Sequence, residues 1–116
     1  METSPLLRTK LRRLLNEVIP RGGSEADTNF TDAEIDLLLQ EADSIYVAAS
    51  VGWMEKAGLL QGDIESYSAG TEKYDLTPLK DKLNHALLMA QQYSQMAESA
   101  ANGGSFMLRV QAPRVL

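Results

Sequence analysis

The run Phe30-Thr31-Asp32-Ala33-Glu34-Ile35 constrains the fold more than any other stretch of the chain, because local bonds alone specify a helix start there. Thr31 can accept a hydrogen bond from the Glu34 N–H while the Glu34 carboxylate accepts from the Thr31 N–H, and Phe30 is placed to pack on Ile35 or Leu38. A second start follows at Asp75-Leu76-Thr77-Pro78-Leu79. Thr77 is expected to cap it and Pro78 to take the first helical position, where a missing N–H costs nothing. Two such helix starts in a short chain speak for helical architecture and say little about chemistry.

Apolar periodicity fills in the helices. The first is expected from Ser4 to about Ile19, with Ser4 as cap and Pro5 at its first position. Leu7, Leu11, Leu14, Leu15 and Val18 form its stripe, and Pro20 with Gly22-Gly23 ends it. Residues 21–29 are small, polar and acidic, a surface loop. From Asp32 onward Ile35, Leu38, Leu39, Ala42, Ile45, Tyr46, Ala49, Trp53 and Ala57 recur every three or four residues, as in one long helix or two. Two are preferred, with a bend near residues 42–44, where Asp43 or Ser44 caps the second. Gly52 beside Trp53 permits close approach of another helix.

Gln61-Gly62 is expected to close that helix. Residues 63–75, alternating and rich in tyrosine and serine, then form a hairpin or an extended arm. The longest helix is expected from Pro78 to about Asn102, with Leu79, Leu83, Ala86, Leu87, Ala90, Tyr93, Met96, Ala97 and Ala100 on one face and Gly103-Gly104 as its stop. Residues 105–116 alternate like a strand and read as an arm whose partner lies on another chain. The expected fold is therefore all-α: a small bundle of about four helices in residues 1–104, with an extended internal arm at 63–75 and an extended C-terminal tail at 105–116. Its core is expected to comprise Leu11, Leu15, Ile35, Leu38, Leu39, Trp53, Leu83, Leu87 and Ala90.

With 116 residues, 44% of them apolar, the chain suits one domain with one modest core. The absence of cysteine excludes disulfides, zinc–thiolate sites and cysteine nucleophiles. No apolar run approaches the roughly 20 residues that cross a bilayer, so a soluble intracellular protein without a membrane partner is expected. The net charge of −5 is unevenly distributed. Residues 1–21 carry Arg8, Lys10, Arg12, Arg13 and Arg21 against Glu2 and Glu17. Residues 22–46 carry Glu25, Asp27, Asp32, Glu34, Asp36, Glu41 and Asp43 with no basic residue. Such segregation favours contact between a basic and an acidic surface, within one subunit or between neighbours.

Catalytic chemistry finds little support. His85, the only histidine, stands beside an apolar stripe and reads as a structural or surface residue. Asp32, Glu34 and Asp36 form an acidic first turn that complements the helix dipole, without the histidine or glycine-bearing loop of a metal site. The two glycine pairs lack the strand, lysine and hydroxyl of a phosphate loop. Trp53, Tyr46, Met54 and Met89 suit core filling, whereas Tyr67, Tyr74 and Phe106 lie in segments better suited to partner contact. No enzymatic activity, metal or cofactor is expected.

The order of these elements resembles a known family. A leucine-rich first helix leads to an acidic loop that ends in Phe30-Thr31-Asp32-Ala33-Glu34-Ile35. An alanine-rich helix with Tyr46-Val47-Ala48-Ala49, a Ser66-Tyr67-Ser68-Ala69-Gly70 arm and a long helix opened by Asp75-Leu76-Thr77-Pro78-Leu79 follow. Over roughly residues 6–102 this is similar to the head-to-tail connector, or adaptor, proteins of long-tailed bacteriophages. The resemblance implies a structural virion protein of the neck, at the portal vertex, present in the host cytoplasm during assembly. It implies a ring of roughly twelve copies beneath the portal protein that extends the DNA channel, lets DNA pass without sequence preference and meets a stopper or tail-completion protein. No catalytic residues come with the family.

By position, the tail with Phe106, Leu108, Arg109, Val110 and Arg114 takes the portal-docking role, and the arm with Tyr67 and Tyr74 takes ring or tail contacts. Charge segregation adds lateral pairing of Arg8, Arg12 and Arg13 of one subunit with Glu25, Asp27 and Asp36 of the next. The chief alternative is a small helical regulatory or DNA-binding module that uses the basic first helix, with a carboxylate-based enzyme behind both.

Overall fold

Four α-helices follow one another in the computed structural model: α1 (Pro5–Leu14), α2 (Asp32–Glu41), α3 (Ile45–Ser68) and α4 (Thr77–Phe106). The structure describes residues 1–69 and 75–106, residues 102–106 as helical backbone, and holds no strand among them. The bundle is all-α as expected, and the helix starts have local causes.

Ser4 caps α1 by accepting from the Leu7 N–H at 3.1 Å, with Pro5 at the first helical position. The helix stops at Leu14, short of Ile19. Asn16 adopts a left-handed backbone (φ 58°), so the Asn16 N–H reaches the Arg13 carbonyl at 3.2 Å and the Glu17 N–H reaches the Arg12 carbonyl at 2.8 Å. This pair of bonds closes a helix end, and asparagine tolerates the conformation it demands. Val18 consequently leaves the stripe and is 58% exposed. The following loop carries a 3-10 turn, Glu25–Asp27, with a capping box between Ser24 and Asp27.

The reciprocal Thr31–Glu34 bonds form as expected, at 3.1 and 2.8 Å, and Phe30 is buried in the same cluster as Ile35 and Leu38. The chain breaks at Ala42-Asp43-Ser44, and Ser44 caps α3 by accepting from the Val47 N–H, so two helices cover this stretch. The Met1 amino group donates to the Leu39 carbonyl at 3.1 Å and to the Ala42 carbonyl at 2.7 Å, which ties residue 1 to the end of α2.

Gln61-Gly62 does not close α3, which continues to Ser68 and absorbs residues 63–68 of the expected arm. Ile64, four residues beyond half-buried Leu60, is buried and extends the apolar stripe. Burial on that face overrides the roughly 1 kcal/mol penalty of a helical glycine. At α4, Thr77 is the first helical residue, and the Asp75 carboxylate accepts its N–H at 3.0 Å. Those bonds hold the Asp75 carboxyl below its ordinary pKa. Gly103-Gly104 does not stop α4, whose backbone stays helical to Phe106. Residues 70–74 of the expected arm and 107–116 of the expected tail lie outside the described residues.

Helices α3 and α4 form an antiparallel hairpin, fixed by a Tyr46–Tyr93 stack at 6.5 Å, a Ser50 hydroxyl donating to the Ala90 carbonyl at 3.0 Å, and a Trp53–His85 edge contact at 5.5 Å. The core lies where α1 and α2 pack on α3. It contains Leu11, Leu15, Ile35, Leu38, Leu39, Trp53 and Ala90, as the periodicity indicates. Two expected members differ: Leu83 is only partly buried, and Leu87 is 42% exposed. Small Ala86 and Ala90 take the buried positions on α4, and Leu87, about 100° further round, turns outward. Met54, expected in the core, is 52% exposed on the outer side of α3.

Gly52 is buried where α3 meets Leu15 of the α1 terminus, and a Cβ built there would stand 2.5 Å from Leu15 Cδ2 and 2.9 Å from Cδ1. Leu15 is fully enclosed, so its displacement passes to the neighbouring core. Gly58 has open space around the same position. Gly52→Val should therefore cost about 1–3 kcal/mol by overpacking. Gly58→Ala should stabilise by up to about 1 kcal/mol through helix propensity. Urea unfolding followed by circular dichroism measures both, and equal effects at the two positions would show that Gly52 is not a packing requirement.

Candidate functional site

Arg8 and Arg12 follow the core residues Leu7 and Leu11 by one position, about 100° round the helix, and that step turns both guanidiniums toward α2. Arg8 makes a two-pronged pair with Asp36, Nε to Oδ1 at 3.0 Å and Nη2 to Oδ2 at 2.8 Å. The paired guanidinium holds the Asp36 carboxyl below its ordinary pKa, against the opposing effect of burial. Arg12, 4% exposed, has a fuller set of partners. Its Nη1 donates to the Glu17 carbonyl at 3.0 Å and to Thr28 Oγ1 at 3.1 Å, and its Nη2 to the Phe30 carbonyl and Asp32 Oδ1, each at 2.9 Å. Glu25 accepts from the Asp32 N–H at 2.6 Å, and Asp27 accepts from the Ser24 N–H at 2.8 Å.

The segregated charges therefore meet inside one subunit. Arg8, Arg12, Glu25 and Asp36, read from the sequence as inter-subunit residues, hold α1 and the acidic loop to α2 in a clasp, whereas Asp27, read in the same way, bonds within the loop to the Ser24 N–H. Arg12 in particular is enclosed by the fold and presents nothing to a neighbour. Of that set Arg13 and Asp27 are exposed and have no ion pair among the described residues.

A second polar cluster, which sequence reasoning missed, latches the end of α1 to α3. Glu17 is buried and accepts from the Asn29 N–H at 2.8 Å, from Asn29 Nδ2 at 3.0 Å and from Lys56 Nζ at 2.8 Å. Lys56 also donates to the Leu15 carbonyl at 2.7 Å and lies 4.2 Å from the Trp53 ring centroid, while Trp53 Nε1 donates to the Leu14 carbonyl at 3.0 Å. Burial disfavours the charged form of Glu17, but the bonds from Lys56 and Asn29 outweigh it and leave the carboxyl below its ordinary pKa. No helical repeat links Glu17 to Lys56, and the signal for the pair exists only in three dimensions.

This latch forms the floor of a groove of about 550 Å³, with His85, Leu60, Asp63 and Asp81 among its walls. Glu17 and Lys56 are saturated by one another and by backbone, so they suit structure better than proton transfer. Among the described residues no group of three histidine, aspartate or glutamate side chains converges as a metal site, and no helix is long and apolar enough to cross a membrane.

No family model, curated protein or solved structure matches this chain.

The outward surfaces complete the inventory. On the side of α1 turned away from α2, Leu6 (79% exposed), Lys10 and Arg13 form a stripe at i, i+4, i+7. On α2, Glu34, Leu37 and Glu41 form another at i, i+3, i+7; Glu55 of α3 lies near enough to feel the charges of Glu34 and Glu41, and Val51 stands one turn before it on α3. Helical phase measured from the core residues is the signal that separates these groups from Arg8 and Arg12. Tyr67 lies 45% exposed near the end of α3, and Phe106 is the last helical residue of α4. Tyr74, Leu108, Arg109, Val110 and Arg114 lie outside the described residues.

Proposed function

We propose that the chain is a structural subunit, a head-to-tail connector adaptor that forms a ring beneath a phage portal and extends the DNA channel toward the tail. The observation that carries this reading is the overhang of α4. The α3–α4 hairpin begins at Ile45, with Tyr46 stacked on Tyr93, yet α4 runs on to Phe106, about 20 Å of further helix. Within that overhang Met96 is 44% exposed and Ala100 is exposed, above a shallow groove shared with Tyr46, Gln92 and Gln95. Exposed apolar side chains on a helix that runs on past its hairpin partner suit a subunit whose assembly covers them. The clasp and the latch add support, since both engage their polar groups in holding the fold.

The regulatory or DNA-binding alternative draws on the basic first helix. It has less to stand on, because Arg8 and Arg12 are paired with Asp36 and Asp32 and leave Lys10 and Arg13 as the outward cations of α1. The experiment is a mass measurement by light scattering over a concentration series, with and without the portal protein. High-order species that grow with concentration, or on addition of portal, are the expected result. A chain that stays monomeric in both conditions yet forms a salt-sensitive complex with DNA would replace this reading with the alternative.

A further inference from the structure

We propose that the outward stripe of α1 docks on the outward α2–α3 face of a second copy of this chain, so that Leu6, Lys10 and Arg13 of one subunit meet Glu34, Leu37, Glu41, Val51 and Glu55 of the next. The inference rests on the ring reading and names the surface through which neighbours touch.

Each face joins exposed apolar side chains to charged ones, and the two charges are of opposite sign. Leu6 is 79% exposed one turn before Lys10, while Leu37 is 51% exposed between Glu34 and Glu41 on α2 and Val51 is 44% exposed one turn before Glu55 on α3. The stripes match in length, since each extends over seven residue steps of helix, about 10 Å. Among the described residues no cation stands within ion-pair distance of Glu34, Glu41 or Glu55, and no carboxylate within that distance of Lys10 or Arg13. The Glu55 carboxyl is raised above its ordinary pKa by burial and by the nearby charges of Glu34 and Glu41, a crowding that an incoming cation relieves.

The two faces cannot meet within one subunit, because Lys10 and Arg13 lie on the side of α1 opposite the guanidiniums that grip α2. A contact between unlike faces of identical subunits is heterologous. Repetition of such a contact closes a ring when its rotation allows. Docking would bury Leu6 against Leu37 and Val51 and place Lys10 and Arg13 among the three carboxylates, where desolvation strengthens their attraction.

Charge reversal tests the contact without touching the clasp or the latch. Lys10→Glu/Arg13→Glu chains and Glu41→Lys/Glu55→Lys chains, each checked for parent helicity, should require about a hundredfold higher concentration than the parent for half-assembly. An equimolar mixture of the two should regain mass, because each supplies the face that complements the other. Parent assembly should weaken as salt rises.

Cysteine cross-linking gives a readout that does not need stable rings, since the chain has no cysteine of its own. Leu6→Cys chains mixed with Leu37→Cys chains should link under mild oxidation about tenfold faster, or more, than either links to itself. Parent-like assembly of both reversal variants, or cross-linking no faster in the mixture, overturns this contact while the ring reading stands. A parent chain that is monomeric at every concentration, also with portal, overturns both.

Discussion

Replacement of Arg12 by methionine should lower the free energy of unfolding by about 3–5 kcal/mol, one of the largest effects of any single substitution in this chain. The aliphatic stem is retained, so the loss isolates the guanidinium. Without it the Glu17 carbonyl oxygen loses its donor at an enclosed site, at a cost of about 1–3 kcal/mol, and the Phe30 carbonyl is left with the Thr28 hydroxyl alone. Thr28 and Asp32 lose a partner as well, but the Asp32 side chain is 41% exposed and regains water. Asp32→Asn should therefore cost under about 1 kcal/mol, since the pair it breaks is solvated on that side. Lysine should not rescue Arg12, because one ammonium cannot reproduce a planar fork that reaches a loop carbonyl, a hydroxyl and a carboxylate together. Urea unfolding of the three variants decides the matter. A loss under about 1 kcal/mol for Arg12→Met would mean that the clasp is not what holds the acidic loop to α1.

Lys56→Met should be of similar size, about 3–5 kcal/mol at neutral pH, because it leaves the Glu17 carboxylate buried without its cation. The pH dependence separates this cause from simple loss of packing. In the parent, Glu17 titrates below its ordinary value, so the unfolded chain takes up the proton first as the solution is acidified. Its contribution is fully present above the ordinary glutamate pKa and is lost as pH falls through the depressed folded value. Protonation also removes the uncompensated charge in the variant. The stability difference between parent and Lys56→Met should therefore shrink across that acidic window. A difference that is constant with pH would assign the loss to the lysine stem packed on Trp53 and not to the ion pair.

What the sequence by itself determined were the features whose cause lies within one turn of chain. Ser4 with Pro5, Thr31 with Glu34, and Ser44 each form a capping bond to a backbone group three residues away, and all appear where those residue types stand. The stripe positions Leu11, Leu15, Ile35, Leu38, Leu39 and Trp53 are buried because a 3.6-residue period brings them to one side whatever the neighbour. Tertiary structure decided the rest. Gly62 is passed through because burial of Ile64 on α3 outweighs a local propensity. Ala86, and not Leu87, faces inward because small residues allow the close approach of α3 and α4, and the distance between two helices is written in neither one. The charge blocks of the first 46 residues predicted contact between opposite signs without saying whose. The one-residue step from Leu7 to Arg8 and from Leu11 to Arg12 turned that contact inward only once α2 lay against α1. Capping is a bond between near neighbours in sequence and can be read there, whereas the partner of a helix face is set by the packing of the whole chain.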